Sequence, residues 1–94
     1  MKTNELIGAA LNWAVSHAEG LTGILAPVDY SGKWEHGGPI IEREKLTAEW
    51  TGEDWMAYIK HDDEFFSPTP LVAAMRCYVA SKLGDDVDVP GELK

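Results

Sequence analysis

The stretch that most restricts how this chain can fold is Ser67-Pro68-Thr69-Pro70, together with the apolar residues after it. Thr69 is placed to cap a helix by accepting a backbone N–H, and Pro70 falls at the first helical position, where its missing N–H leaves no bond unmade. Leu71, Val72, Met75, Tyr78, Val79 and Leu83 then recur at helical spacing until Gly84, a residue suited to close the last turn. A helix over residues 70–83 is expected, with an apolar stripe that another element has to cover.

A second helix is expected over residues 4–19, because Leu6, Ile7, Ala10, Leu11, Ala14, Val15 and Ala18 share one face. Thr3 or Asn4 would cap it and Gly20 would close it. Asn12, Ser16 and Glu19 then fall on its outer side, with Trp13 and His17 at the margins. Residues 20–38 hold the apolar patch Leu21, Ile24, Leu25, Ala26 and Val28 without a sustained period, and read as an excursion with a short strand at 28–30. Residues 39–46 and 48–59 read as strands, the second of them folded into a hairpin at Thr51-Gly52-Glu53-Asp54 between Trp50 and Trp55. Trp55, Ala57 and Ile59 alternate with Met56, Tyr58 and Lys60, which sends one row toward the helices. Residues 61–67 read as a loop, and the acidic tail 85–94, stopped by Pro90, reads as a surface segment.

The fold class implied is α+β: an N-terminal helix, a strand-rich middle at 28–60 forming a small antiparallel sheet (hairpin or meander), and a C-terminal helix, both helices covering the same sheet face. The chain of 94 residues suits a single domain, 1–94. Leu6, Leu11, Ala14, Val15, Ile41, Leu71, Val72, Met75, Val79 and Leu83 form the expected core. Trp34, Trp50 and Trp55 are left over as interface residues, since Trp is enriched at interfaces. A chain so short gains from self-association, so a homodimer or higher homo-oligomer is expected.

Charge narrows the partners. Eight Lys and Arg against sixteen Asp and Glu leave a net charge of −8, which opposes direct binding to nucleic acid. The 45% hydrophobic content excludes a disordered acidic segment. Cys77 is the single cysteine, so no intrachain disulfide forms and a reducing compartment fits. No signal-peptide pattern or membrane-length apolar run is present, and a soluble cytoplasmic protein with no membrane partner is expected.

No catalytic constellation emerges. His61-Asp62-Asp63-Glu64 lacks the spacing of a metal loop, Cys77 lies mid-helix without an activating neighbour, and the two carboxylates of Glu42-Arg43-Glu44, on one strand face as acid/base work needs, fit the alternation of an exposed strand equally well. No enzyme activity, metal or cofactor is expected. The chemically richest set is Tyr30, Trp34, His36, Gly37, Gly38 and Pro39, with Arg43 and Arg76: aromatic faces stack on a planar ring, glycines admit close backbone approach, and Arg binds phosphate in bidentate fashion. Tyr30, Trp34, Gly37, Gly38, Arg43 and Arg76 are thus candidate ligand-binding residues for a nucleotide-like small molecule. The bland alternative makes Tyr30 and Trp34 core or interface residues, Gly37-Gly38-Pro39 a turn, and Arg76 an ion-pair partner.

Three blocks in order carry a family resemblance: Met1-Lys2-Thr3-Asn4-Glu5-Leu6-Ile7-Gly8-Ala9-Ala10-Leu11, Gly37-Gly38-Pro39-Ile40-Ile41-Glu42-Arg43-Glu44, and Pro68-Thr69-Pro70-Leu71-Val72-Ala73-Ala74-Met75-Arg76-Cys77-Tyr78-Val79-Ala80-Ser81-Lys82-Leu83-Gly84-Asp85. Together they resemble the NinX-like family of small accessory proteins of lambdoid and related tailed phages, a family of unknown function. The resemblance implies a phage origin, expression in the host bacterial cytoplasm and a role outside the virion, and carries over no catalytic residue. Two non-catalytic roles are suggested by analogy with small phage proteins. One is an anti-defence sponge that sequesters a nucleotide-derived host immune signal. The other is an acidic inhibitor of a host enzyme, its carboxylates standing in for nucleic-acid phosphates.

Overall fold

The computed structural model describes residues 1–21, 27–59 and 63–93. The helix signalled by Thr69 and Pro70 forms as Pro70–Leu83, here α3, and the Thr69 hydroxyl accepts the Val72 N–H at 3.3 Å. Its buried residues are Leu71 to Met75 and Cys77 to Val79, which amounts to an apolar surface nearly all the way round. Such a helix has to be covered on more than one side, and α3 accordingly becomes the centre of the molecule.

One side of α3 carries the sheet. Strands β1 (Thr47–Trp50), β2 (Trp55–Tyr58) and β3 (Phe65–Ser67) form an antiparallel meander in the order β1-β2-β3. The expected hairpin closes at the expected turn, with Trp50 opposite Trp55. Ala57, the middle of the row sent toward the helices, is fully buried. The α+β class holds. The third strand falls where a loop was expected: Phe65, Phe66 and Ser67 are too few to show an alternation, and their pairing with β2 defines them.

Helix α1 (Gly8–Ala18) packs on α3 and makes no substantial contact with the sheet, so the two helices do not share one sheet face. Gly20 closes α1 in the left-handed region (φ 86°), with Gly20 N–H donating to His17 and Leu21 N–H to Ser16. Neither expected cap serves α1. Thr3 is buried in a 3₁₀ turn, Thr3–Glu5, and its hydroxyl donates to the Gly84 carbonyl at 2.7 Å. Asn12 and Ser16, placed outside by periodicity, are also buried. The Asn12 side-chain oxygen accepts from the Ser31 N–H (3.0 Å) and hydroxyl (2.7 Å), and its amide donates to Asp29 at 2.9 Å, which fastens residues 29–32 to α1. Residues 28–30 are not a strand, and residues 22–26, with Ile24, Leu25 and Ala26 of the apolar patch, lie outside the described residues.

The largest departure is residues 39–46. They belong to a helix, α2 (Trp34–Glu44), with Gly37, Gly38 and Pro39 inside it, and α2 packs on α3. Local propensity opposes this: Gly and Pro are the poorest helix formers, and Pro39 removes one hydrogen bond of the ladder. Packing decides it. A Cβ on Gly37 would lie 2.4 Å from the Tyr30 carbonyl oxygen and 2.6 Å from Leu71 Cδ1, so only glycine lets α2 sit this close to α3. The helix ends in a Schellman motif: Lys45 adopts φ 57°, its N–H donates to Glu42, and the buried Leu46 donates to Ile41. Ile40, not Ile41, is the fully buried member of that pair.

The core joins these elements into one cluster that contains every expected member except Ile41 and Leu83, which pack half-buried at its margin. Tyr78, Leu46, Val87 and Val89 join it. The tail is therefore more than a surface segment: Lys2 and Asp86 form an antiparallel bridge, the Thr3 N–H donates to the Asp85 carbonyl, and Val87 and Val89 are buried. No helix among the described residues is long and apolar enough to cross a membrane.

Candidate functional site

The four N-terminal members of the candidate set make two contacting pairs, Gly37 with Tyr30 and Gly38 with Trp34. Tyr30 packs half-buried against the core; Gly37 presses on its carbonyl; Trp34 opens α2 with 56% of its surface exposed; and Gly38 lies beneath the Trp34 ring. Burial and the nearby Glu19 carboxylate raise the Tyr30 phenol above its ordinary pKa. Gly37 has no backbone left open to a ligand, since helical packing fills its surroundings.

Neither arginine joins them as a free phosphate ligand. Arg43, at the far end of α2, makes a bidentate pair with Glu19 (3.0 and 2.7 Å) and donates through Nε to Glu44 at 2.9 Å. Its guanidinium also lies over the Tyr78 ring, 5.7 Å from the centroid, and donates to the Tyr78 hydroxyl. That hydroxyl in turn donates to Glu19 in a very short bond, and Lys82 approaches Glu44 at 3.5 Å. The cluster clasps the ends of all three helices. The Arg43 hydrogen bonds hold the Glu19 and Glu44 carboxyls below the usual range. Burial, then the bond to Glu19, pushes the Tyr78 phenol far up. A phosphate could reach Arg43 only by displacing two carboxylates.

Arg76 projects from another face of α3, because two helical residues on, at Tyr78, the direction has turned by about 200°. Its Nε donates to the Leu6 carbonyl at 2.7 Å and its Nη1 to the Phe66 carbonyl at 2.9 Å. The bland alternative of an acidic partner is also replaced, since backbone oxygens hold this charge. Burial lowers its pKa.

Beside Cys77 a cleft of about 260 Å³ is lined by Ile59, Asp63, Phe65, Ala80, Ser81 and Asp85. Burial pushes the Cys77 thiol up to about 11, the opposite of what a nucleophile needs. His61 and Asp62 of the acidic loop lie outside the described residues. Among the described residues no group of His, Cys, Asp and Glu is arranged to hold a metal ion.

Sequence reasoning missed the outer face of the sheet. Helix α3 covers the face bearing Ala57, and the register places Met56 beside Phe66 on the other face, with Tyr58, Glu49 and Thr47. Phe66 is 47% exposed. At the hairpin end Trp50 is 56% exposed and tilts against Trp55 with ring centroids 5.7 Å apart. The alternation of residues 55–59 already separated the two faces; only the strand identity of Phe66 was hidden.

What fold and surface define is a small α+β protein whose polar clusters brace its own frame and whose sheet leaves aromatic residues in solvent. The family model described as bacteriophage P22, NinX, matches residues 2–82, and the chain belongs to that family. It is a phage accessory protein. None of the curated proteins compared with the chain matches it.

Proposed function

We propose that this phage protein acts without catalysis, in the host bacterial cytoplasm, by binding a host protein through the hairpin end and outer face of its sheet. The observation that carries this is the exposure of two aromatics at separate places on the sheet: Phe66 on the face turned away from α3, and Trp50 at the hairpin end of the Ala57 face. Large aromatics are the residues that dominate protein interfaces. Glu49, Glu53 and Asp54 neighbour Trp50 along the hairpin, and the net charge of −8 extends the same field, so the favoured partner surface is basic with apolar contacts. Such a partner includes the nucleic-acid site of a host enzyme.

The homo-oligomeric nucleotide sponge is a second reading. It draws on the exposed Trp34 over Gly38 with Tyr30 nearby in the chain, and ranks lower because Arg43 and Arg76 are engaged in internal contacts. Native mass spectrometry after incubation with bacterial lysate separates the two. A protein–protein complex that weakens with salt and is lost in Trp50→Ala or Phe66→Ala supports the first. An oligomer retaining a nucleotide-sized mass, unaffected by those substitutions, replaces it with the second.

A further inference from the structure

The two edges of the sheet differ. In an antiparallel ladder, residues alternate between pairs that exchange hydrogen bonds and pairs whose backbone groups point outward. The Thr51 N–H donates to the Asp54 carbonyl at 2.9 Å, which makes Thr51 and Asp54 a bonded pair. One step along the register, Trp50 with Trp55 is non-bonded; Glu49 with Met56 is bonded; Ala48 with Ala57 is non-bonded. The N–H and C=O groups of Ala48 and Trp50 therefore point away from β2, off the β1 edge. Carried across β2, the same alternation turns the Phe66 backbone off the β3 edge. There Arg76 caps the Phe66 carbonyl while gripping Leu6. Among the described residues nothing hydrogen-bonds the outward groups of Ala48 or Trp50. Open edges invite another strand, and folded proteins ordinarily blunt them.

We propose that β1 is a docking edge for an extended basic segment of the host protein, which adds to the sheet as a fourth strand. This rests on the host-protein reading and specifies how the partner is held. Main-chain bonds to Ala48 and Trp50 supply the attachment. Side chains supply the selection: Glu49 stands on the outer face of β1, Glu53 and Asp54 come next in the turn, and neither Glu49 nor Glu53 has an ion-pair partner among the described residues. The added strand thus carries Lys or Arg on the face of Glu49 and apolar residues on the face of Ala48 and Trp50, since opposite charges across strands stabilise and like charges destabilise. A second copy of this chain is the poorer occupant. The antiparallel register that uses all four outward groups sets Glu49 directly opposite its own counterpart.

The probe is a short synthetic peptide alternating Lys and Val, followed by NMR amide exchange on the whole protein. The expected result is exchange slowed by about tenfold or more at Ala48 and Trp50, with Thr47 and Glu49 little changed. A peptide of the same charge, N-methylated along its pairing edge, loses binding, and Glu49→Lys weakens binding of the parent peptide. Equal binding of the methylated peptide, changes confined to Met56, Tyr58 and Phe66, or no binding by the basic peptide each overturns strand addition. The host-protein reading is decided separately, by the lysate complex and its Trp50→Ala variant.

Discussion

Gly37→Ala tests how α2 is held. In an isolated helix the change is favourable by about 1 kcal/mol, because glycine has more backbone freedom to lose. In this fold the new Cβ meets the Tyr30 carbonyl oxygen at 2.4 Å and Leu71 Cδ1 at 2.6 Å, both inside van der Waals contact. Leu71 can change rotamer. The Tyr30 carbonyl moves only if the segment that Asn12 pins to α1 moves with it. Overpacking costs roughly 1–3 kcal/mol, and a clash with anchored backbone belongs at the upper end; subtracting the propensity gain leaves a net loss of about 2 kcal/mol. For a chain of this size that lowers Tm by roughly 8–16 °C. Thermal and urea melts followed by Trp fluorescence give the answer, with Gly38→Ala as the comparison. A Cβ on Gly38 has Trp34 Cε3 at 3.8 Å as its nearest neighbour, an ordinary contact. Its helix gain is offset because Pro39 disfavours helical backbone in a preceding residue that carries a Cβ, so Gly38→Ala stays near wild type. A Gly37→Ala protein that melts at or above wild type would refute the packing argument.

Four further outcomes are expected. Lys45→Gly removes a side chain from a left-handed position (φ 57°) and raises stability by about 0.5–1 kcal/mol; an unchanged urea midpoint contradicts this. Thr69→Ala deletes the acceptor for the Val72 N–H and costs about 1 kcal/mol in the same assay, whereas no loss would mean that Pro70 alone starts α3. Glu19 has a folded pKa below its unfolded value, so its stabilisation is present above the unfolded pKa and lost as pH falls through the folded one. Glu19→Gln is accordingly less stable than wild type at pH 7, and the two converge in acid; a gap that persists there counts against the Arg43 pairing. Cys77, buried and with its thiol pushed up to about 11, reacts with a thiol reagent only as fast as the protein opens, and prompt labelling of the native protein overturns that expectation.

Much of the frame was legible because its signals are local. Thr69, Pro70 and Gly84 bound α3, and Gly20 closes α1, through bonds made within a few residues. The hairpin turn is likewise written between Trp50 and Trp55. Of the candidate site, Gly37 touches Tyr30 and Gly38 touches Trp34, contacts between residues a few positions apart in the chain. The sequence had no means of showing that Arg43 would meet Glu19 and Tyr78, or that Arg76 would be held by Leu6 and Phe66. Those partners are distant in sequence, and an arginine suited to phosphate is equally suited to a carboxylate or a carbonyl oxygen.

The sequence by itself determined the α+β class, the two capped or closed helices and the hairpin, since each arises from short-range hydrogen bonding and apolar period. Only the tertiary structure decided α2, β3 and the tail. Gly37, Gly38 and Pro39 read as a turn until Tyr30 and Leu71 lie against Gly37 and make the absence of a side chain the condition for helix packing. Phe65 to Ser67 become a strand because β2 presents the backbone to pair with. Val87 and Val89 leave the surface because the N-terminal segment offers Lys2 and Thr3 as backbone partners. In each case the stabilising contact joins residues far apart in the chain, and no local pattern encodes its partner.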